Sequence, residues 1–257
     1  MATQIKRYAY LQVMKSSLEN VLQKNQLNFR SVVDFKSVKD KLIKLDFTSA
    51  NTDLTPSLVE NTEDFSQYID QVLETNQAKY GIGGYNENRI LYKRSGLFNT
   101  ANSNTTLIVP SLKQTEDRSI HLGIDIWGAA GTNVYVPIGG TVHSFAYNDN
   151  FGDYGATIIL QHQLETIVFH TLYGHLSLAD LANMQEGKYI SRGELLAHFG
   201  APNENGSWPP HLHFQVIEDM RVSKGDYPGV CTASESEKYL NNCPNPDWIL
   251  NMMKFVS

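Results

Sequence analysis

The chain has 257 residues, of which 41% are hydrophobic and 19% are charged, and its formal net charge is −6 at pH 7. This composition is that of a folded soluble protein and argues against extensive disorder. The acidic balance argues against a general nucleic-acid-binding or anionic-membrane-binding function, because the sequence shows neither a basic patch nor a basic helix.

No apolar run approaches the ~18 residues that a membrane-spanning helix needs. Near the N-terminus, Lys15 interrupts the apolar residues too early for a secretory signal. We therefore expect a cytoplasmic protein, or an exported one if a signal has been removed. We expect neither a membrane span nor a nucleic-acid partner.

The first hundred residues are predicted to be partly helical. Apolar residues recur at helical spacing over residues 4–24, which predicts an amphipathic helix there. The same spacing recurs from Phe65 to Leu73, after the candidate capping residues Asn61 and Thr62. A second helix is therefore expected to begin near residue 62.

A glycine-rich run follows at Tyr80–Tyr85. Its glycines do not complete a dinucleotide-binding fingerprint, so we predict a turn or the rim of a cleft, with a strand at Arg89–Tyr92. The polar stretch Asn99–Thr106 is the best candidate for a domain boundary. We therefore divide the chain into a partly helical N-terminal region, residues 1–105, and a second domain, residues 106–257.

The second domain is predicted to be mainly β, which makes the chain α+β overall. Short β-branched and aromatic runs separated by glycine turns predict strands at Asn133–Pro137, Thr141–Tyr147, Ala156–Gln161, Thr166–Tyr173 and His211–Ile217. Helical segments are expected at Leu176–Gln185 and Cys243–Phe255. This order favours a compact antiparallel β-sandwich or barrel-like core over alternating βαβ units.

The two cysteines, Cys231 and Cys243, do not make a disulfide framework, and their spacing matches no standard zinc knuckle. Free, partly buried thiols are the expected state. A local disulfide between them is the alternative.

Two short runs carry groups that bind zinc. His121 and Asp125 lie four residues apart, and Gly123 lets the backbone bend between them. His211 and His213 alternate with apolar residues, so a strand would place both imidazoles on one face. Three ligands from these runs would suit zinc and leave one imidazole over, and a hydrolytic site needs a base. A surface histidine pair and a surface ion pair are the alternatives.

A third histidine, His175, lies in a strand-like run with Tyr173 and Gly174. By alternation we expect His175 to share a side with Tyr173, to have room beside Gly174, and to face away from His170. The chain contains neither His-Glu-x-x-His nor Gly-x-Ser-x-Gly, which argues against helical zincins and serine hydrolases. Structural or surface roles are expected for His143, His162, His170 and His198.

The ordered motifs resemble those of the lysostaphin-type zinc endopeptidases over about residues 118–217. They are His121-x-x-x-Asp125, the glycine and valine run from Gly131 to Val142, Tyr173-Gly-His175-Leu, and His211-Leu-His213-Phe. The resemblance implies that His121, Asp125 and His213 bind Zn²⁺ and that His175 and His211 are the further active-site histidines. It also implies a compact antiparallel β core with the site in a groove on one sheet.

The expected function is therefore that of a zinc metallopeptidase which cleaves a peptide or amide bond with metal-activated water. His211 would take the proton or orient the water, and His175 would stabilise the oxyanion, although the sequence does not decide which histidine is the base. The candidate substrates are a peptide, a muropeptide or a small amide. The residues expected to contact the substrate are Tyr173, Trp208, Asp153 and Tyr154.

Two alternatives remain open at this stage. The chain could be a non-catalytic binding or regulatory module of the same fold, although all five site positions are filled. Residues 1–105 could also cover the groove and hold the enzyme latent, with the glycine run and Arg89–Arg94 nearest the cleft, or they could simply complete the core.

Overall fold

The computed structural model of the chain describes residues 18–99 and 116–257. Its strands are β1 (Leu42–Lys44), β2 (Tyr80–Gly83), β3 (Ile120–His121), β4 (Ile124–Trp127), β5 (Asn133–Tyr135), β6 (Gly140–Asn148), β7 (Gly155–Leu164), β8 (Ile167–Leu176), β9 (Tyr189–Ile190), β10 (Leu195–His198), β11 (His211–Ile217) and β12 (Val230–Cys231). Its α-helices are α1 (residues 18–25), α2 (Pro56–Glu60), α3 (Thr62–Thr75), α4 (Ser236–Asn242) and α5 (Asp247–Leu250).

Eight strands form one open sheet in the order β1-β2-β4-β11-β8-β7-β6-β9. Its neighbours are antiparallel except for β1 and β2, which run parallel. Two small ribbons, β5 with β10 and β3 with β12, complete the strand pairing. The fold is mostly β, as predicted, but it is a mixed open sheet and not a closed barrel.

Strand β11 lies near the middle of the sheet, between β4 and β8. Its alternation places Leu212 and Phe214 in the main apolar core, whereas His211 and His213 project from the opposite face. The predicted strand and the predicted common face of the two histidines are both confirmed. Since β4 and β8 flank this strand, groups from three strands meet on that face.

The helix predicted after Asn61 is confirmed as α3. The Asn61 side chain caps it by accepting hydrogen bonds from the backbone N–H groups of Glu63 and Asp64. Its apolar residues Phe65 and Ile69 are buried on one side. Only part of the helix predicted at residues 4–24 falls within the described residues, and that part is helical as α1.

The glycine-rich run was wrongly predicted as a turn. Tyr80–Gly83 is strand β2, which is completely buried and pairs with both β1 and β4. A Cβ atom on Gly83 would lie 2.6 Å from the guanidinium of Arg89, so the glycine is there for close packing. The strand predicted at Arg89–Tyr92 is also wrong, because Leu91–Arg94 is a turn of 3-10 helix.

Two further helix predictions were too long. Leu176–Gln185 contains only the 3-10 turn Leu178–Leu181. The helix predicted over Cys243–Phe255 is interrupted, since α5 ends at Leu250 and the next residue, Asn251, adopts a left-handed conformation with φ 53°. A separate 3-10 turn, Met253–Phe255, follows it.

The predicted division at residues 105 and 106 lies outside the described residues and stays a prediction. On either side of that gap, β2 of the N-terminal region and β4 of the second domain are adjacent strands of one sheet. Cys231 and Cys243 are unpaired, buried thiols. No helix in the described ranges has the length and apolar character needed to cross a bilayer.

Candidate metal centre

Three side chains converge where β3, β4 and β11 meet. The Nδ1 atom of His213 lies 3.0 Å from Nε2 of His121 and 3.0 Å from Oδ1 of Asp125. The third side of this triangle, from His121 Nε2 to Asp125 Oδ1, measures 3.3 Å. All three residues are buried. The register explains the contact, because His213 is directly opposite Asp125 on the neighbouring strand.

The hydrogen-bond partners of His213 fix which nitrogen faces this triangle. The side-chain amide of Gln215 donates to the carbonyl of Pro228, so its oxygen must be the group that faces His213. His213 Nε2 lies 2.9 Å from that oxygen and must therefore carry the proton. Nδ1 then presents a lone pair to the other two ligand atoms.

The same reasoning applies to His121. Its Nδ1 atom lies 3.0 Å from the carbonyl oxygen of Gly84, which can only accept, so Nδ1 carries the proton and Nε2 presents a lone pair. Two imidazole lone pairs and the carboxylate oxygen of Asp125 therefore point at one another within 3.3 Å. The lone pairs of three buried acceptor atoms repel one another unless a cation lies between them.

The donor set fits zinc. A tetrahedral zinc with bonds of ~2.0–2.1 Å separates neighbouring ligand atoms by about 3.3 Å. The observed separations of 3.0, 3.0 and 3.3 Å are close to that value. Nitrogen, nitrogen and oxygen donors suit zinc, and three protein ligands leave a position for water or substrate, as in catalytic sites.

Gly123 makes this arrangement possible. A Cβ atom at that position would lie 2.5 Å from the ring of His213. Gly123 is therefore needed because it leaves room for the ring of His213. This requirement is separate from the backbone flexibility that the sequence suggested.

Two more histidines lie beside the triangle. His175 and His211 have ring centroids 4.1 Å apart, and their Nδ1 atoms lie 2.8 and 2.7 Å from the carbonyl oxygens of Asn205 and Pro209. Those carbonyls accept, so each Nδ1 carries the proton and each Nε2 presents a lone pair. Trp127, opposite His211 in the register, stacks on its ring at 3.9 Å.

The sequence model of peptidase family M23 matches residues 119–225. This segment contains the whole triangle and both neighbouring histidines. This part of the chain is therefore similar to peptidase family M23. No curated protein matches the chain.

Solved structures with partial similarity to this chain include three bacterial peptidases or peptidase-family proteins. A Pseudomonas aeruginosa protein named for the same family is 19% identical over 51% of this chain and 43% of its own, with a TM-score of 0.34. A zinc-containing peptidase from Vibrio cholerae is 26% identical over 41% of this chain and 31% of its own, with a TM-score of 0.31.

The third structure is the catalytic domain of the antimicrobial peptidase lysostaphin from Staphylococcus simulans. It is 23% identical over 47% of this chain and 80% of its own, with a TM-score of 0.34. The chain thus spans less than half the length of the first two structures.

The metal triangle lies at one side of a cleft of about 750 Å³. Of the residues predicted to contact substrate, Asp153, Tyr154 and Trp208 line this cleft. The Tyr154 hydroxyl lies 3.4 Å from Nε2 of His213. One wall comes from the N-terminal region, through Leu91, Tyr92, Leu97 and Phe98.

Tyr173 is not in the cleft. It is fully buried on the opposite face of the sheet, with its ring 5.3 Å from that of Phe214. A β-bulge is the reason: Gly174 and His175 together oppose one residue of β7, and His175 has φ 62°.

The same bulge overturns two expectations that rested on strict alternation. His175 does not share a side with Tyr173. The bulge returns His175 to the face that carries Leu172 and therefore His170, so those two histidines do not face opposite sides.

Burial and nearby charges shift the pKa values of ionisable groups in this site. Burial lowers the pKa of His211 to about 4, and burial together with His211 holds the pKa of His175 well below its usual range. Burial, with the nearby Arg89 guanidinium, lowers the pKa of His121 to about 4. For Asp125, burial acts to raise the pKa, but His121 and Arg89 outweigh it and hold the pKa well below the usual range.

Three residues of the site were not singled out from the sequence. Gln215 and Trp127 each lie two positions from a predicted ligand on the same strand, so strand periodicity could have indicated both. Arg89 hydrogen-bonds to Asp125 across the fold. The sequence analysis placed Arg89 near the cleft only as part of a strand that was wrongly predicted. No local sequence pattern indicates the contact between Arg89 and Asp125.

Proposed function

We propose that this chain is a zinc-dependent hydrolase that cleaves a peptide or amide bond. The observation that carries the proposal is the buried triangle of His121 Nε2, His213 Nδ1 and Asp125 Oδ1, whose three lone-pair donors face one another within 3.3 Å. Zinc bound there would polarise a water molecule and the scissile carbonyl. The similarity of residues 119–225 to peptidase family M23 supports the same reaction class.

Two histidines of the chain would accept and return the proton of the attacking water. Both His175 and His211 are buried and neutral near pH 7, with Nε2 free to accept. A proton taken by one ring disfavours a second proton on the other, because the centroids are only 4.1 Å apart. The pair therefore takes up one additional proton at a time, on Nε2 of one ring, and can return it to the leaving amine.

We assign first proton acceptance to His211. It lies two residues from the ligand His213 on one face of β11, and the Trp127 stack holds its ring in place. His175, on the adjacent strand β8, accepts a hydrogen bond from the attacking water through Nε2 and donates to an oxyanion only when it holds the shared proton. Asp153, Tyr154 and Trp208 are positioned to contact a peptide, muropeptide or small amide.

The test combines metal analysis with an amide-hydrolysis assay on peptides and peptidoglycan fragments, with and without a chelator. His213→Ala is expected to lose metal and turnover together, whereas His211→Ala is expected to keep the metal and lose at least about a hundredfold in turnover. His198→Ala is the matched control, since that histidine pairs with Asp180 and does not line the cleft.

Two results would count against the proposal. Loss of metal in His211→Ala would overturn the division between ligand and base. A fully metallated wild-type chain without turnover on any substrate of the panel would favour a binding or regulatory module in place of an enzyme.

A further inference from the structure

A buried guanidinium from outside the M23 match touches the carboxylate of the metal triangle. The Arg89 side chain is 1% exposed, and its Nη1 donates to Oδ2 of Asp125. Its Nε donates to Oε2 of Glu87 at 2.8 Å. Arg89 thus connects two buried carboxylates, those of Glu87 and Asp125. Asp125 is one of the three predicted metal ligands.

The two oxygens of Asp125 have different partners. Oδ1 faces His213 and His121 at 3.0 and 3.3 Å, whereas Oδ2 is occupied by Arg89. Rotation of the carboxylate would break the contact with the guanidinium. The carboxylate is therefore restrained so that only one oxygen is presented to the triangle.

The fold holds the arginine in a close-fitting position. The ring of Phe47 lies 5.2 Å from the guanidinium carbon, and Gly83 leaves the space that Nη2 fills. The backbone N–H of Arg89 donates to the carbonyl of Ser119, and that of His121 donates to Glu87. The segment carrying Arg89 is therefore hydrogen-bonded to the segment carrying His121.

We propose that Arg89 is a positioning residue of the metal centre, which fixes Asp125 as a ligand through one oxygen and balances its charge before the metal binds. The inference rests on the proposed function, because it presumes a metal in the triangle. Without a cation, Asp125 is a buried anion, and among the described residues the Arg89 guanidinium is the cation that pairs with it. The preformed triangle thus depends on a residue of the N-terminal region.

The test compares full-length wild type, Arg89→Met and Glu87→Gln, each stripped of metal and titrated with Co²⁺ and Zn²⁺ against a competing chelator. Arg89→Met is expected to raise the metal dissociation constant about 10–100-fold, as loss of a residue that orients a ligand does elsewhere. Its Co²⁺ complex is expected to absorb more weakly in the visible range, because the released carboxylate can bind through both oxygens and raise the coordination number.

Glu87→Gln is the matched control, because it alters the other arm of the same guanidinium and leaves the contact with Asp125 in place. It is expected to keep the wild-type spectrum. If Arg89→Met does not fold, Gly83→Ala replaces it: the added Cβ would lie 2.6 Å from Nη2 and displace the guanidinium while every charge remains.

The possible failures are distinguishable. A wild-type chain that binds neither metal overturns the proposed function itself. A wild type that binds metal, with a folded Arg89→Met that matches it in affinity and spectrum, overturns only the role of Arg89. Full recovery in Arg89→Lys would reduce that role to charge alone and would also overturn positioning.

Discussion

Removal of residues 1–105 is the perturbation that best separates latency from structural support. If those residues only covered the groove, a chain beginning at residue 106 would hydrolyse substrate faster than the full chain. The structure predicts the opposite result. Strand β2 pairs directly with β4, and its Gly83 is opposite Asp125. The truncated chain would also lack Arg89.

The size of the effect can be estimated from the contacts that the truncation removes. Trp127 is 1% exposed, and its ring packs against Phe47 at 5.1 Å and Phe65 at 6.1 Å, both of which the truncation removes. A buried aromatic covers ~150–250 Å², so exposure of about half of it at ~25 cal/mol per Å² costs about 2–3 kcal/mol. Loss of Ile82 from the core and of the ladder to β4 adds a similar amount. The sum is comparable to the ~5–15 kcal/mol that stabilises a typical domain.

We therefore expect the truncated chain to lose cooperative unfolding and metal binding. Circular dichroism during heating and a chelator-competition titration would measure both. Arg94→Ala is the companion variant, since it loosens the wall of the cleft while β2 stays in place: Arg94 stacks on Trp208 at 4.5 Å and donates to Ser207. A truncated chain that melts like the full chain, binds zinc and turns over faster would refute this reasoning and establish latency.

Two other predictions concern single residues. Trp127→Ala is expected to lower the free energy of unfolding by about 3–5 kcal/mol and Trp127→Phe by less, measured by urea denaturation; a loss below about 1 kcal/mol for the alanine variant would contradict the packing. His162 has its pKa lowered by burial from 6.5 to about 4, so between those pH values the unfolded chain binds a proton that the folded chain excludes. Stability should therefore fall as the pH drops from about 6.5 towards 4, and His162→Gln should make that decline shallower; equal slopes in the two proteins would argue against this titration.

The parts of the site that follow from local periodicity could be predicted from the sequence. His211 and His213 share a face because a strand alternates, and Leu212 and Phe214 confirm the core side. Tyr173 was placed wrongly because the bulge at His175 interrupts that alternation. A left-handed histidine has no signature in the sequence, so strict period-two reasoning fails at this point.

Other features depend on packing between distant segments. The contact between Asp125 and His213 joins residues 88 positions apart. The ligand types of the two runs suggested one shared zinc site, but the choice of His213 as the ligand came from the family resemblance. Arg89 reaches Asp125 because β2, Gly83 and Phe47 leave a space of the right size. No spacing rule indicates that contact, and the glycines of β2 look like turn residues until their neighbours are known.

The two sequence regions therefore have different roles in one centre. The segment that matches the M23 model supplies the atoms that would hold zinc and move a proton: His121, Asp125, His213, His175 and His211. The N-terminal region supplies what holds two of those groups in place, because Arg89 occupies the outer oxygen of Asp125 and Phe47 backs the tryptophan that stacks on His211. Asp125 and His211 are thus fixed from the same side of the sheet by the same region. A change that shifts β2 should accordingly perturb metal affinity and turnover together, whereas a change confined to the cleft wall should alter turnover alone.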